Sequence, residues 1–169
     1  LSLRAQIQDP ADISHIEVVT FHEAKRLHVV HPATTEQAQY SLPWSVAAAL
    51  ARGSLDAEAV TALDAPDLRA LAARVEIHED TTFNARFPAA RWALARLHLS
   101  DGRLLESGPC EALGNPHNPL SDEALTTKFH ALADPVLGER AGSLREVIQS
   151  LETRPVGDLL ALLGPPGGE

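Results

Sequence analysis

Sulfur-containing residues are almost absent from this sequence of 169 residues, which has one cysteine and no methionine. A single cysteine, Cys110, cannot form an internal disulfide, and it offers no pair of ligands at the spacing of a structural zinc site. We expect Cys110 to be a structural thiol. The sequence therefore excludes the small disulfide-rich folds and gives no indication of a metal centre.

Long apolar runs and dense basic clusters are also missing. No run reaches the roughly 18 residues that a membrane-spanning helix needs, and no signal peptide opens the chain. The formal net charge is −9, and none of the 14 lysines and arginines forms a dense cluster, whereas nucleic acids and anionic membranes bind basic surfaces. We therefore expect a soluble, cytoplasmic protein that binds neither nucleic acid nor membrane. An anionic substrate would need positive charge that is concentrated locally or supplied from outside this sequence.

The missing methionine also bears on how the chain begins. Residues 1–12 open with Leu-Ser-Leu-Arg-Ala-Gln-Ile, a pattern typical of the last turns of a helix. We expect these residues to be the end of a helix from a missing upstream region, so that the sequence is the C-terminal part of a longer polypeptide. Any site within it would then be only part of a site.

Alternating apolar residues predict a small sheet. Residues 13–22 are expected to form a strand covered on both faces, and residues 75–79 and 91–99 show the same period of two. Asp101-Gly102 is a strong hairpin signal, and it predicts a further strand over residues 103–106. We expect the strands after residue 75 to form an antiparallel unit.

Capping residues and a period near four predict helices in the rest of the chain. Their ranges are 56–63, 66–73, 121–137 and 156–163, and Ser143 with Glu146 predicts a capping box at the start of another. The predicted fold class is α+β, a small and mostly antiparallel sheet packed with helices and followed by C-terminal helices. The Gly- and Pro-rich residues 164–169 are expected to be a disordered tail.

The most apolar helix is predicted between Ser41 and Gly53. Ser41 is expected to be the N-cap, Pro43 to lie in the first turn and Gly53 to follow the last turn. Because almost no face is polar, we expect this helix to be buried on every side. Ser41 and free backbone N–H groups at the positive end of the helix dipole are candidates to bind a carboxylate. The alternative is that Ser41 is a plain N-cap of a core helix.

Arginines and histidines supply the other candidates. Arg86 and Arg91 flank Phe87-Pro88 and are a candidate clamp for a carboxylate, with two solvated loop arginines as the alternative. The eight histidines do not predict a metal site. His28 and His31 lie on opposite faces of an extended segment, and most of the others are expected to be edge or packing residues of strands. These are His15, His22, His78 and His98. Lys128 is expected on a helix surface.

Three segments of the sequence occur in an order that resembles a known family. The first is Pro32-Ala33-Thr34 followed by Tyr40-Ser41-Leu42-Pro43-Trp44 and ending at Gly53. The second is Leu99-Ser100-Asp101-Gly102, and the third is Gly114-Asn115-Pro116-His117-Asn118-Pro119-Leu120-Ser121 with Lys128-Phe129 after it. Together they resemble the C-terminal domain of the MmgE/PrpD family, which includes 2-methylcitrate dehydratase, cis-aconitate decarboxylase and iminodisuccinate epimerase.

The resemblance implies a protein with two domains, a large helical domain and a smaller α+β lid. Residues 13–120 would be the lid, and residues 121–163 would be the returning C-terminal helices. Enzymes of this family act without metal or organic cofactor on small di- and tricarboxylates, usually as homodimers, in the cleft between the domains. The implied partners are therefore a small carboxylate substrate, the helical N-terminal domain of the same polypeptide and a second copy. Most of the charged catalytic residues would lie in the missing region.

The family motif at the central helix usually reads Phe-Ser-x-x-Tyr. Here Tyr40 stands in place of the phenylalanine and Trp44 in place of the tyrosine. An indole N–H can donate a hydrogen bond to a carboxylate, but it cannot give up a proton as a phenol can. The substrate-binding candidates are thus Ser41, Trp44, Arg86 and Arg91, and the catalytic residues stay unknown.

The resemblance implies that the parent enzyme eliminates water from a small di- or tricarboxylate, as 2-methylcitrate dehydratase does. Two alternatives stay open within the family, an epimerase and a decarboxylase, because all three reactions begin beside a carboxylate. A third alternative is that the chain is an isolated structural or dimerisation domain with no activity of its own.

Overall fold

The computed structural model describes residues 1–164. The chain divides into two compact units, Leu1–Ala112 and residues 113–169. The first unit contains a sheet with helices and the described part of the second is helical, so the predicted α+β class is confirmed. The division between residues 120 and 121 stays a prediction, and the predicted tail lies, except for Gly164, outside the described residues.

Four strands form one sheet in the order β2-β1-β3-β4. Their bounds are Ile13–Thr20 for β1, Val75–Glu79 for β2, Ala93–Leu99 for β3 and Leu104–Glu106 for β4. β3 pairs antiparallel with β1 and with β4, as a mostly antiparallel sheet requires. The expectation that residues 75–79 belong to the antiparallel unit is wrong, because β2 pairs with β1 in parallel. The helices between β1 and β2 form the crossover connection that a parallel pair needs.

Six α-helices belong to the first unit as it is described. Their bounds are His22–Lys25 for α1, Thr35–Gln39 for α2, Leu42–Arg52 for α3, Ala57–Thr61 for α4, Pro66–Ala72 for α5 and Thr81–Arg86 for α6. The predicted bounds of α3 are confirmed, with Ser41 as N-cap and Gly53 in the left-handed conformation at φ 73°. The first strand is two residues shorter than predicted, because α1 begins at His22, whose backbone N–H donates to Asn84 Oδ1.

The main core lies on one face of the sheet. Ile16 and Val18 of β1 and Leu97 of β3 pack there in one buried cluster with residues of α3 and α5, including Ala47 and Leu68. The opposite face of β1 is covered only near the end of the strand, where Phe83 of α6 packs in a smaller cluster with Leu94 and Val19. Coverage on both faces is therefore confirmed for the end of β1 but not for its start.

The described part of the second unit consists of α7 (Asp122–Leu137), α8 (Arg140–Gln149) and α9 (Val156–Leu163). The predicted capping box at Ser143 and Glu146 is wrong, because Ser143 lies inside α8. Burial of Ala141 together with Leu144 and Val147 explains the earlier start, since packing of an apolar face outweighs a cap preference. Among the described helices, none combines the length and the apolar content that a membrane crossing requires.

Candidate functional site

Ser41 and Trp44 lie in the interior of the first unit. Ser41 is 1% exposed, and its hydroxyl accepts a hydrogen bond from the Trp44 backbone N–H at 3.0 Å and donates one to the Val29 carbonyl. The Trp44 side chain is 0% exposed, and its indole N–H donates to the Val60 carbonyl at 2.8 Å. Both polar groups therefore already have partners in the chain. Their contact with a substrate stays a prediction.

The start of α3 has no free N–H group in its first turn. The Leu42 N–H donates to the Leu27 carbonyl at 2.8 Å, and the Ser45 N–H donates to the Ser41 carbonyl at 3.1 Å. Pro43 has no N–H, and that of Trp44 is bound by Ser41. The expectation of free N–H groups at this helix start is wrong. The reason is tertiary, because residues 27–29, which are distant in sequence, supply carbonyl groups to the helix start.

One edge of the sheet collects the ends of three strands. Thr20, the last residue of β1, is paired with Glu79 at the end of β2 and with Ala93 at the start of β3. The Asp80 N–H donates to the Thr20 carbonyl at 2.9 Å, and the Thr20 hydroxyl donates to the Trp92 carbonyl at 3.1 Å. The segments that follow β1 and β2 and precede β3 are therefore neighbours at this edge.

This edge carries four cationic side chains, which we call the cationic edge. Lys25 and Arg26 follow β1, Arg86 ends α6 after β2, and Arg91 precedes β3. Within residues 1–164, none of the four makes an ion pair with a carboxylate. Several other arginines of the first unit do pair with carboxylates. Arg52 pairs with Asp67, Arg96 with Glu17 and Glu106, and Arg103 with Asp101. Four cations without a carboxylate partner therefore lie at one edge of the sheet, together with Glu79, whose charge interacts with that of Lys25.

Arg86 and Arg91 both lie on the cationic edge, at opposite ends of a short loop that contains the cis Phe87-Pro88 bond. The Arg86 guanidinium lies over the Trp92 ring, 4.6 Å from the ring centroid, and this contact orients a cation without neutralising it. The Arg91 backbone N–H donates to Glu111 Oε1 at 3.1 Å. The carboxylate clamp formed by these two arginines stays a prediction.

His22, Glu79 and Asn84 form a hydrogen-bonded network at the same edge. His22 Nδ1 lies 3.1 Å from Glu79 Oε2, and Asn84 Nδ2 donates to Glu79 Oε1 at 2.6 Å. These bonds from Asn84 and His22 hold the pKa of the Glu79 carboxyl below its ordinary value, because both favour the ionised form. An ionised carboxylate only accepts, so Nδ1 of His22 carries the proton.

The residues just after β1 line a pocket of about 250 Å³. Its lining consists of His22, Lys25, Arg26, His28 and Glu79. Sequence reasoning missed this group, because it treated His22 as the end of a strand and considered His28 only for metal binding, which it rejected. The available signal was the spacing of basic residues in His-x-x-Lys-Arg-x-His, directly after a strand with a buried face.

Taken together, the cationic edge can bind and orient an anion. Cations without a carboxylate partner are groups that hold carboxylates in proteins. Over residues 1–164, no group of three or more His, Cys, Asp or Glu side chains is arranged to hold a metal ion.

A family model described as the MmgE/PrpD C-terminal domain matches residues 1–153 of the chain. A comparison with curated proteins gave no match.

Proposed function

The chain belongs to the MmgE/PrpD family, as its C-terminal domain, and we propose that it is the lid of a cofactor-independent lyase. The proposed reaction is the elimination of water from a small di- or tricarboxylate, as in 2-methylcitrate dehydratase. The observation that carries this proposal is the match to the family over residues 1–153. The cationic edge supports it, because it offers positive charge to a substrate that is itself an anion.

The chemistry explains why a lid with this charge would be useful. Elimination beside a carboxylate removes a weakly acidic proton and builds negative charge on the carboxylate, so that it needs a base and nearby positive charge. In the proposal, a helical N-terminal domain of the same polypeptide supplies the base. The cationic edge supplies part of the positive charge, with Arg86 and Arg91 holding one substrate carboxylate.

Ser41 and Trp44 have an indirect role in this proposal. They fix the start of α3, and Ser41 also holds residues 27–29 through its bond to the Val29 carbonyl. The segment that bears Lys25 and Arg26 is thereby attached to the core at its C-terminal end. Assembly as a homodimer and a cytoplasmic location complete the proposal.

The experiment compares the 169-residue chain with a polypeptide in which this domain follows its helical N-terminal domain. Each is incubated with 2-methylcitrate, and the absorbance of the unsaturated product is followed. We expect turnover only by the longer polypeptide. In that polypeptide, Arg86→Gln and Arg91→Gln should each raise KM about tenfold, in line with the loss of a charge-assisted contact. Arg103→Gln, which removes a cation that already pairs with Asp101, should leave KM unchanged.

The same incubation in D2O separates the alternatives within the family. A dehydratase produces the unsaturated acid, an epimerase exchanges a carbon-bound proton for deuterium without absorbance, and a decarboxylase releases carbon dioxide. Turnover by the 169-residue chain alone would contradict the proposal that the N-terminal domain supplies the base. Absence of all three products from the longer polypeptide would contradict the proposed enzyme class and favour a structural or dimerisation domain.

A further inference from the structure

Strand β2 lies at one side of the sheet, and in the described part of the chain it pairs with β1 alone. The ladder between the two strands is bounded by Arg74 and Asp80, whose backbone groups bond to β1. Because parallel strands bond through every second residue, the even-numbered residues of β2 face β1. The N–H and C=O groups of the odd-numbered residues point away from the sheet, and these residues are Val75, Ile77 and Glu79.

These outward groups form the free side of β2. Within residues 1–164, no hydrogen bond is formed by the backbone N–H or C=O groups of Val75, Ile77 or Glu79. Unpaired backbone groups along an edge strand are a template for pairing with another strand. β2 also contains neither proline nor lysine, two of the residues that protect such an edge. The free side of β2 can therefore accept a further strand.

An apolar hollow of about 400 Å³ adjoins this strand. Val75 and Ile77, both half-buried, line it together with Val30 and Pro43. The rest of its lining is Lys25, His28 and Glu76. A strand that pairs with β2 lies about 4.8 Å from it, which brings the apolar side chains on the same face of that strand beside the hollow.

The sequence of β2, Val-Glu-Ile-His-Glu, is complementary to itself when two copies run antiparallel. With Ile77 opposite the partner's Ile77, Glu76 lies opposite the partner's His78 on both sides of the centre. Each such pair joins a carboxylate to an imidazole, whose N–H can donate to it. Antiparallel strands bond at alternate pairs, so this register also gives partners to all the outward groups of Val75, Ile77 and Glu79.

Glu76 and His78 are accessible for this pairing. Their side chains are 59% and 46% exposed. Glu76 lies 3.4 Å from His15 Nε2 and 3.5 Å from His78 Nε2 of its own chain, and both distances exceed those of ordinary hydrogen bonds. The carboxylate and the imidazole therefore retain the capacity to bond to a second copy.

We propose that the free side of β2 is a self-association surface, on which β2 pairs antiparallel with β2 of a second copy. A two-fold axis passes between the two Ile77 residues, so that each copy contributes the same residues to the contact. The two sheets of four strands then form one continuous sheet. This inference rests on the proposed function in the choice of a second copy as partner, whereas the surface follows from the structure of β2.

Amide hydrogen exchange of the 169-residue chain, measured by NMR, tests the pairing residue by residue. In a monomer, the unbonded N–H groups of Val75, Ile77 and Glu79 exchange fast, whereas those of Glu76 and His78 are protected by β1. Above the dissociation constant, the free fraction of a dimerising chain falls with the square root of its concentration. We therefore expect exchange of the three outward groups to slow about tenfold when the concentration rises about a hundredfold. The protection of Glu76 and His78 should not change.

Variants test the register by sedimentation equilibrium, with circular dichroism to check folding. His78→Glu places carboxylates opposite each other at both symmetric positions and should weaken association by about tenfold. The double variant Glu76→His with His78→Glu restores a complementary pair and should recover most of this loss. Ile77→Lys places two ammonium groups at the two-fold axis and should abolish association.

Leu104→Lys is the matched control, because it adds the same charge to β4 at the other side of the sheet, where Leu104 is 55% exposed. It should leave association unchanged. The proposal is overturned by a chain that is monomeric at all concentrations, by association that His78→Glu does not weaken, or by a double variant that recovers nothing. An equal loss in Leu104→Lys would also overturn it.

Failure of this surface can be told apart from failure of the proposed function. If the longer polypeptide turns over 2-methylcitrate but the outward N–H groups of the chain stay unprotected, the surface falls and the proposed function stands. If the chain pairs as expected and no turnover occurs, the surface stands and the enzyme class falls.

Discussion

Replacement of Trp44 by phenylalanine separates a packing role from a role in substrate binding. The indole is 0% exposed and donates to the Val60 carbonyl at 2.8 Å. Trp44→Phe leaves that carbonyl, which is partly buried, without this partner, which costs about 1–3 kcal/mol. The smaller ring also leaves a cavity worth about 1 kcal/mol. We therefore expect the free energy of unfolding to fall by about 2–4 kcal/mol.

Urea unfolding measures this loss. With an m value of about 2 kcal/mol/M, the midpoint should fall by about 1–2 M urea. The fluorescence of Trp92 follows the transition, because Trp92 lies in the same unit and remains in the variant. Substrate binding by the folded variant should be nearly unchanged, since the indole N–H is not available to a ligand.

Trp92→Phe is the matched control for this measurement. Trp92 is half-buried, its ring lies 6.4 Å from that of Phe83, and within residues 1–164 its indole N–H has no hydrogen-bond partner. Its replacement should lower the free energy of unfolding by less than about 1 kcal/mol, followed by the fluorescence of Trp44. Equal midpoints for the two variants, or weaker ligand binding by folded Trp44→Phe with an unchanged midpoint, would refute the packing role.

Two further predictions concern the first unit. Gly53→Ala should lower the free energy of unfolding by about 1 kcal/mol, because Gly53 follows α3 in the left-handed conformation at φ 73°. No atom lies within 4 Å of an added Cβ, so the loss would come from the backbone conformation and not from a clash. A urea midpoint unchanged from that of the parent chain would contradict this. Glu17 responds to acid, because hydrogen bonds from His98 and then Arg96 lower its pKa from the ordinary value of 4.5 in the folded chain. Ionised Glu17 therefore stabilises the fold above about pH 4.5, and this contribution is lost as the pH falls through the lowered pKa. Glu17→Gln should flatten the fall in urea midpoint as the pH decreases below about 4.5, whereas an unchanged slope would show that Glu17 contributes nothing.

Local sequence signals predicted the elements of the first unit well. The N-cap at Ser41 and the glycine at position 53 give α3 its bounds, since both act through the backbone of adjacent residues. The hairpin at Asp101-Gly102 and the alternating apolar residues of β3 were also predictable, because they too depend on residues that are adjacent in the sequence. The capping box at Ser143 failed because the burial of Ala141, a tertiary effect, extends α8 towards the N-terminus.

The pairing of strands was less accessible from the sequence. Strand β2 shows the same period of two whether it pairs with β1 or with β3, so its alternation contains no information about its neighbour. The parallel pairing with β1 needs a crossover connection, which the helices between β1 and β2 form. It also decides that the residues after β1 and those after β2 meet at one edge.

The candidate site, too, was predictable only where local sequence signals sufficed, and not where it depends on tertiary contacts. The sequence alone indicated that an anion site needs a local concentration of cations, because the net charge of the chain is −9. It also indicated Arg86 and Arg91 as candidates for such a site. It could not show that Ser41 and Trp44 already have partners, since the carbonyls of Val29 and Val60 that they bind are distant in sequence.

The sequence alone thus determined the fold class, the central helix and the resemblance to a family, because these depend on periodicity, capping and the order of short segments. Only the tertiary structure decided which cations stay unneutralised. Lys25, Arg26, Arg86 and Arg91 come from three separate segments, and they share one edge because β1 and β2 run in parallel and β3 runs back. Charge neutralisation depends on distances between side chains in space, which spacing along the chain does not specify.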